Sequence, residues 1–343
     1  MKFTIFITEK CNLRCKYCYE SGMERSGHMD INVANKTIDF ILRKIKSERL
    51  DRPLYVVLHG GEPLVNFEMV KYIHKKLSDK VKEREIIYDM TTNGTVLDSE
   101  KIDFICNNID NISVSIDGIR ASHDKNRVFV NGEGSYDLAI KNAKKLLDRK
   151  KDVRIRMTYT TNTVSELYES ISQIAKYGFT TIVPIADYMD TKWTQSHVNT
   201  LNDQISMLIN LKEKYPSLNA GLLDIQSLNT RKGDCFGGIM SFAIDVKGDI
   251  FPCTFSVGDE ELKLGSVFDE DISESKQKKL VKIYTSENED CKSCLRKEYC
   301  DSRRCKLLNK KVMGDFNKSI PIICVLEKVC LTTTKKLKAY NID

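Results

Sequence analysis

The chain has 343 residues, 41% of them apolar and 30% charged, and a formal net charge of +6. That length carries roughly two or three modest domains, and the composition is that of a globular chain rather than a disordered or fibrous one. The mild charge, without a basic stripe interleaved with aromatics, argues against a nucleic-acid partner. No stretch reaches the ~20 apolar residues of a membrane span, and no secretory signal is seen before the first strand. The expectation is a cytoplasmic protein, no membrane partner, and thiols kept reduced.

In chain order, short runs rich in β-branched and aromatic residues fall at 3–7, 54–58, 86–91, 112–116, 153–159 and 181–186 and read as strands. Helical spacing of apolar residues separates them. Ile38, Ile41, Leu42 and Ile45 share a face, as do Val70, Ile73 and Leu77, then Tyr136, Ile140, Ala143 and Leu147, then Leu167, Ile171 and Ile174. Asn66, Asp98 and Ser135 are expected N-caps and Gly178 a C-terminal stop. Six β/α units in a row imply an α/β fold with a parallel sheet. Right-handed crossovers wind it into a partial (β/α)6, TIM-like barrel. A further helix is expected around Leu201, Ile205, Leu208 and Ile209. From about residue 221 the alternation stops, and the chain reads as loop-rich and short of long periodic segments. The expected division is 1–220 for the barrel and its linking helix and 221–343 for a small domain stapled by metal.

Chemistry in such barrels sits where strands end. Cys11–Cys18 follows the first strand, "HGGEPL" (59–64) the second, "TTNG" (91–94) the third, and "SIDG" (115–118) closes the fourth. The stretch "CNLRCKYC" places Cys11, Cys15 and Cys18 on one loop at gaps of three and two. A cubane [4Fe–4S] cluster takes one thiolate per iron, so three cysteines leave one iron open to a ligand. A zinc loop is the alternative on spacing alone.

The C-x3-C-x2-C spacing with Tyr17 before the last cysteine resembles the signature of radical SAM enzymes. The resemblance implies that S-adenosylmethionine chelates the open iron of a catalytic [4Fe–4S] cluster and is cleaved to a 5′-deoxyadenosyl radical that abstracts a substrate hydrogen. By the same resemblance Gly60, Gly61, Glu62 and Pro63 form the loop beside the methionine ammonium, Ser115 touches ribose or carboxylate, and Arg127 holds the carboxylate. Asn93 reads as a turn residue and His59 as a packed or surface histidine.

Eight of the twelve cysteines lie in the last third of the chain. Cys235, Gly248 and Cys253, then Cys291, Cys294, Cys300 and Cys305, then Cys324, resemble a SPASM domain, the auxiliary-cluster module of peptide-modifying radical SAM enzymes. One gap departs from that pattern: four residues separate Cys300 from Cys305 where three are usual. The resemblance implies two auxiliary [4Fe–4S] clusters, one on Cys291, Cys294, Cys300 and Cys324, the other on Cys235, Cys253 and Cys305. The latter has either an open iron or a fourth ligand from elsewhere, for which Cys330 is a candidate if it is not a spare thiol, and Cys106 reads as core.

Family members of this kind act mostly on peptides. The first strand begins at residue 3, so recognition is expected from the barrel, the auxiliary domain or a separate leader-binding protein. Sulfatase maturases carry a catalytic aspartate after the cysteine that corresponds to Cys253; here Thr254 stands there, with Asp245, Asp249 and Asp259 nearby and no catalytic residue assigned. The implied activity is a maturase that cross-links a ribosomally made, cysteine-containing precursor peptide. It draws electrons from a flavodoxin or ferredoxin in an oxygen-poor setting. Formylglycine formation, or a bare iron–sulfur electron carrier or zinc scaffold, are the alternatives.

Overall fold

The computed structural model describes residues 1–20, 26–46 and 52–339. In chain order its elements are β1 (Lys2–Thr8), α1 (Ile31–Ile45), β2 (Leu54–Gly60), α2 (Phe67–Lys80), β3 (Ile86–Thr92), α3 (Ser99–Asn108), β4 (Asn111–Ser115), α4 (Arg120–Asn126), α5 (Tyr136–Asp148), β5 (Val153–Tyr159), α6 (Leu167–Lys176), β6 (Thr181–Ala186) and α7 (Gln195–Lys214). There follow β7 (Asn219–Ala220), α8 (Ile225–Leu228), β8 (Ser241–Ile244), β9 (Asp249–Phe251), β10 (Gly265–Ser266), α9 (Glu274–Thr285), α10 (Asp301–Arg304), α11 (Lys306–Met313) and α12 (Pro321–Ala339). The alternation is mixed α/β with parallel strands, as the sequence pattern requires. All six anticipated strands are present, two of them, β5 and β6, with the expected ends.

The chain divides into two compact units. The first comprises Met1–Arg14, Cys18–Ser113 and Phe236–Ile283; the second comprises Cys15–Tyr17, Val114–Cys235 and Tyr284–Asp343. In the first, β1 lies between β2 and β8, parallel to both. Phe3 stands opposite Val56 on one side and Phe242 on the other. β2 continues in parallel to β3, and the antiparallel strands β9 and β10 extend the other edge. All but the first residue of β1 is buried, as a strand covered on both faces must be. Phe3, Phe40 and Phe242 pack there at ring centroids 5.5–6.1 Å apart, each fully buried ring contributing about 2–3 kcal/mol.

In the second unit β6 is parallel to both β5 and β7. Here α12 packs against α7 and α8. This 19-residue helix is a departure from the loop-rich expectation. Its run of β-branched threonines hides it in the sequence. Thr332, Thr333 and Thr334 donate to the carbonyls of Lys328, Val329 and Cys330 one turn back, which lets Thr333 and Thr334 be buried in the helix.

All three expected N-cap residues stand at their helix starts, but two spend their side chains elsewhere. Asp98 caps α3 through Lys101 N (2.9 Å), but Asn66 donates to Ile7 O (3.2 Å) and Ser135 to Arg127 O (2.8 Å). Gly178, at φ +95°, ends α6 as expected. Cys106 is half-buried rather than core, because its helix turns Ile102 and Ile105 inward instead. Among the described residues no helix is long and apolar enough to cross a membrane.

Candidate active site

In the first unit, β2 ends at Gly60 and the chain turns through Gly61, Glu62 and Pro63. Gly61 N donates to Thr8 O and Glu62 N to Lys10 O, both at 2.9 Å. The close approach that the glycines permit is therefore to Thr8–Lys10, the stretch leading into Cys11. A Cβ on Gly60 would lie 2.3 Å from Thr8 O, and one on Gly61 2.6 Å from Glu9 O. Pro63 opens a short 3-10 turn that Glu62 caps through Leu64 N.

Glu62 is 1% exposed. It accepts from Leu64 N (3.2 Å), Thr92 Oγ1 (2.8 Å) and Asn93 N (2.7 Å), with no cation beside it among these contacts. Burial pushes its carboxyl up to about 7, and the three hydrogen bonds recover only part of that cost. A buried carboxylate so placed fits an incoming ammonium. Asn93 closes a side-chain turn with Thr95 N (2.9 Å), as expected of a turn residue. It also does what the sequence did not signal: its Nδ2 donates toward Cys11 Sγ at 3.9 Å. Leu13 N reaches the same sulfur at 3.4 Å. His59 packs on Phe6, accepts from Gly60 N at Nδ1 and meets Tyr19 Oη at Nε2 (3.1 Å), with the buried Glu20 3.8 Å from Nδ1.

The second unit holds Cys15 and Tyr17 with Ser115, which ends β4, and Arg127, which follows α4. Lys16 N donates to Asn126 O (3.0 Å), fixing this part of the cysteine loop to the end of α4. Arg127 is paired through Nε with Asp117 Oδ2 (3.1 Å), sits over the Tyr17 ring (5.3 Å) and directs Nη1 at Cys15 Sγ (3.8 Å). The Tyr17 hydroxyl donates to the same carboxylate oxygen, and burial first of all keeps that phenol protonated. Burial opposes the Arg127 charge, but Asp117, Tyr17 and Cys15 more than offset it.

Within each unit the donors around the cysteines suit a ligand of an iron–sulfur cluster. Cysteine sulfurs are faced by N–H donors, as thiolates carrying cluster charge require. Among the described residues no three Cys, His, Asp or Glu side chains converge as they would on a single metal ion. A cubane spreads its sulfurs over four irons and so holds them farther apart.

The C-terminal cysteines follow the same logic. Cys294 N donates to Cys291 O (3.1 Å), closing the knuckle, and Ser319 Oγ lies 3.5 Å from Cys291 Sγ. Burial, then Cys291, raises the thiol of Cys324 on α12, with Cys294 adding to it. Cys300 is pushed up to about 12 by burial, then Glu327, with Cys324 among the causes. Cys324 thus lies within electrostatic reach of the other three thiols of that anticipated cluster. Lys232 N donates to Glu298 O (2.7 Å), and Asp234 pairs with Arg303 (3.0 Å). These contacts tie the approach to Cys235 to the segment that carries Cys305. Cys253 belongs to the first unit, where Ser256 N donates to its carbonyl. Cys330 is pushed up to about 11 by burial, then by Glu327, and both Tyr159 and Tyr188 feel its charge.

The aspartates near Thr254 have structural employment. Asp245 Oδ1 accepts from Lys247 N (2.9 Å) and Asp249 N (2.8 Å) in the β8–β9 turn. Asp249 pairs with Lys263 (2.8 Å), and Asp259 caps a turn through Glu261 N (3.0 Å). Asp245→Ala, which removes the acceptor of both bonds, is therefore expected to lower stability by about 1–3 kcal/mol while leaving turnover per folded molecule unchanged, as paired denaturation and product assays will test.

Parallel α/β architecture, a three-cysteine loop after β1 and a glycine–glutamate turn after β2 define the radical SAM class. The Radical SAM superfamily model matches residues 5–176, half of the chain, and the chain belongs to that superfamily. The SPASM model, an iron–sulfur cluster-binding domain, matches residues 235–295, so the chain pairs a radical SAM domain with a SPASM domain. It is 26% identical over 317 residues to the cysteine-type anaerobic sulfatase-maturating enzyme of Clostridium novyi, covering 84% of this chain and 83% of that one. Native anSMEcpe with bound AdoMet and Cp18Cys peptide shares the fold at a TM-score of 0.78 and 19% identity, over 98% of this chain and 96% of the other. Streptococcus suis SuiB bound to precursor peptide SuiA does so at 0.62 and 17%, over 94% and 75%.

Proposed function

We propose that this radical SAM/SPASM enzyme is a peptide maturase. In this reading a hydrogen is abstracted by a 5′-deoxyadenosyl radical and a cross-link, thioether, carbon–carbon or carbon–oxygen, is installed in a ribosomally made peptide. Cys11, Cys15 and Cys18 hold the catalytic [4Fe–4S] cluster. Cys291, Cys294, Cys300 and Cys324 hold one auxiliary cluster; Cys235, Cys253 and Cys305 hold the second. S-adenosylmethionine supplies the radical chemistry when bound. The chain's part is to orient it: Glu62 takes the ammonium, the Gly60–Pro63 turn fixes the loop, and Ser115 and Arg127 serve ribose and carboxylate. The observation that carries this reading is the turn itself, which couples a buried, cation-seeking Glu62 to the backbone leading into Cys11. The barrel reading spans 1–220 and the auxiliary domain 221–343. A cytoplasmic setting, an external flavodoxin- or ferredoxin-type reductant and a separate leader-binding protein belong to the same proposal.

The solved relatives that hold peptides favour a peptide substrate. The sulfatase-maturase relative favours a second reading, oxidation of Ser or Cys to formylglycine. Thr254, whose hydroxyl is no base near neutral pH, speaks against it. The deciding experiment is anaerobic co-expression with short peptides encoded beside the gene, followed by mass and fragmentation. Loss of two hydrogens with fragmentation blocked across an internal loop, absent when Cys11, Cys15 and Cys18 are alanine, is the expected result. A new aldehyde that reacts with hydroxylamine selects formylglycine instead. An unmodified peptide pool overturns the peptide-maturase reading.

A further inference from the structure

Asp117 has no role in the reading above, yet it is 3% exposed and sits at the centre of a closed network beside the cysteine loop. Its Oδ2 accepts from the Tyr17 hydroxyl and from Arg127 Nε (3.1 Å), and its Oδ1 from Thr158 N (2.9 Å) on β5. Its own N–H donates to His123 Nδ1 at 3.2 Å. That bond fixes the His123 tautomer, since the accepting Nδ1 leaves the proton on Nε2, which meets Ser135 Oγ at 2.9 Å. Ser135 in turn donates to Arg127 O (2.8 Å), and Arg127 N donates to His123 O (2.8 Å). The guanidinium is therefore held from its side chain by Asp117 and from its backbone by His123 and Ser135, and its Nη1 faces Cys15 Sγ at 3.8 Å.

We propose that Asp117 is a positioning residue that holds Arg127 against Cys15, so that the Asp117–Arg127 pair sets the reduction potential of the centre ligated by Cys15. The proposal rests on reading Cys11, Cys15 and Cys18 as cluster ligands. Cluster potentials respond to nearby charge and to hydrogen bonds at sulfur, and a buried pair acts with little solvent screening. Arg127 stabilises the electron-rich, reduced state, and Asp117 moderates that effect while aiming the donor. The two charges therefore pull the potential in opposite directions. A network that served stability alone has no reason to give opposite signs.

The test is a redox titration of the anaerobic, cluster-loaded enzyme followed by electron paramagnetic resonance. The catalytic centre is identified as the signal that changes when S-adenosylmethionine is added. Asp117→Asn, whose amide oxygen still accepts from Arg127 Nε and so keeps the guanidinium aimed while the negative charge is removed, is expected to raise the midpoint of that centre and Arg127→Gln to lower it, both measured without S-adenosylmethionine and at unchanged iron content. Tyr17→Phe, which withdraws one donor from Asp117 and keeps the ring, is expected to lower it by less than Arg127→Gln. Shifts of the same sign in Asp117→Asn and Arg127→Gln, or none, overturn the proposal. Should Asp117→Asn fail to load iron, Tyr17→Phe and Arg127→Gln decide: lowered midpoints in both sustain the proposal, and unchanged ones overturn it. A wild-type enzyme without any S-adenosylmethionine-responsive signal overturns the reading of the loop itself and the proposal with it.

Discussion

Gly61→Ala is expected to strip the N-terminal centre of its iron while the auxiliary iron stays. The added methyl has nowhere to go: it would stand 2.6 Å from Glu9 O and 2.7 Å from Lys10 O, backbone atoms of the strand end that leads into Cys11. Relief requires that Gly61 N leave Thr8 O or that Glu62 N leave Lys10 O. Overpacking of this kind costs about 1–3 kcal/mol, and each lost hydrogen bond about 1 kcal/mol more. The affected backbone is the approach to Cys11, the first of the proposed cluster ligands, so the loss is expected to fall on metal binding rather than on the fold at large. Gly60→Ala should behave alike, since its φ of +153° and its 2.3 Å approach to Thr8 O both resist a side chain. Iron per chain, with the S-adenosylmethionine-sensitive resonance as a separate readout, checks this. Full iron with an unchanged resonance in Gly61→Ala would show that the glycine turn does not hold the loop.

The same glycines show what the sequence conveys and what it withholds. Their place after β2 was legible from strand periodicity, and so were the strands, because β-branched runs between polar turns leave few other choices. Which surface the glycines approach was not legible. A Gly-Gly pair signals only that some backbone comes close, and here it is Thr8–Lys10, about fifty residues earlier in the chain. The N-caps divide in the same way. Asp98 caps its helix by a local contact, whereas Ser135 and Asn66 are claimed by Arg127 O and Ile7 O, partners that only the assembled units supply. Asp117 and His123 were missed for a related reason. Each is a common residue in a common tripeptide, and its role comes from Tyr17, Arg127 and Ser135 meeting around it. The hidden helix α12 is a propensity failure: three successive threonines disfavour a helix until their hydroxyls bond back along it.

Glu62 gives the second large effect, and it is written in pH. In the folded chain its carboxyl is pushed up to about 7 from an ordinary 4.5. Below about pH 4.5 both states are protonated and the group contributes no penalty. As pH rises from 4.5 to 7 the unfolded chain releases a proton that the folded chain retains, so stability falls. Above 7 the full penalty, up to about 3 kcal/mol, remains. Glu62→Gln should remove this slope, though its amide must then face donors at Thr92 and Asn93 and will lose some of the gain. His123 works the other way, since burial and then Arg127 hold its pKa well below 6.5 and acid costs stability there. It is common to both proteins and cancels in their difference. Unfolding free energies of wild type and Glu62→Gln across pH 5–8 should therefore diverge through that window. An ammonium seated on Glu62 favours the carboxylate and reverses the penalty, so binding of S-adenosylmethionine near pH 6.5 is expected to release a proton. Calorimetry in two buffers of different ionisation heat measures that release directly. Equal heats in the two buffers, or the same release from Glu62→Gln, would take the ammonium away from Glu62 and leave the residue as a buried cap of the 63–66 turn.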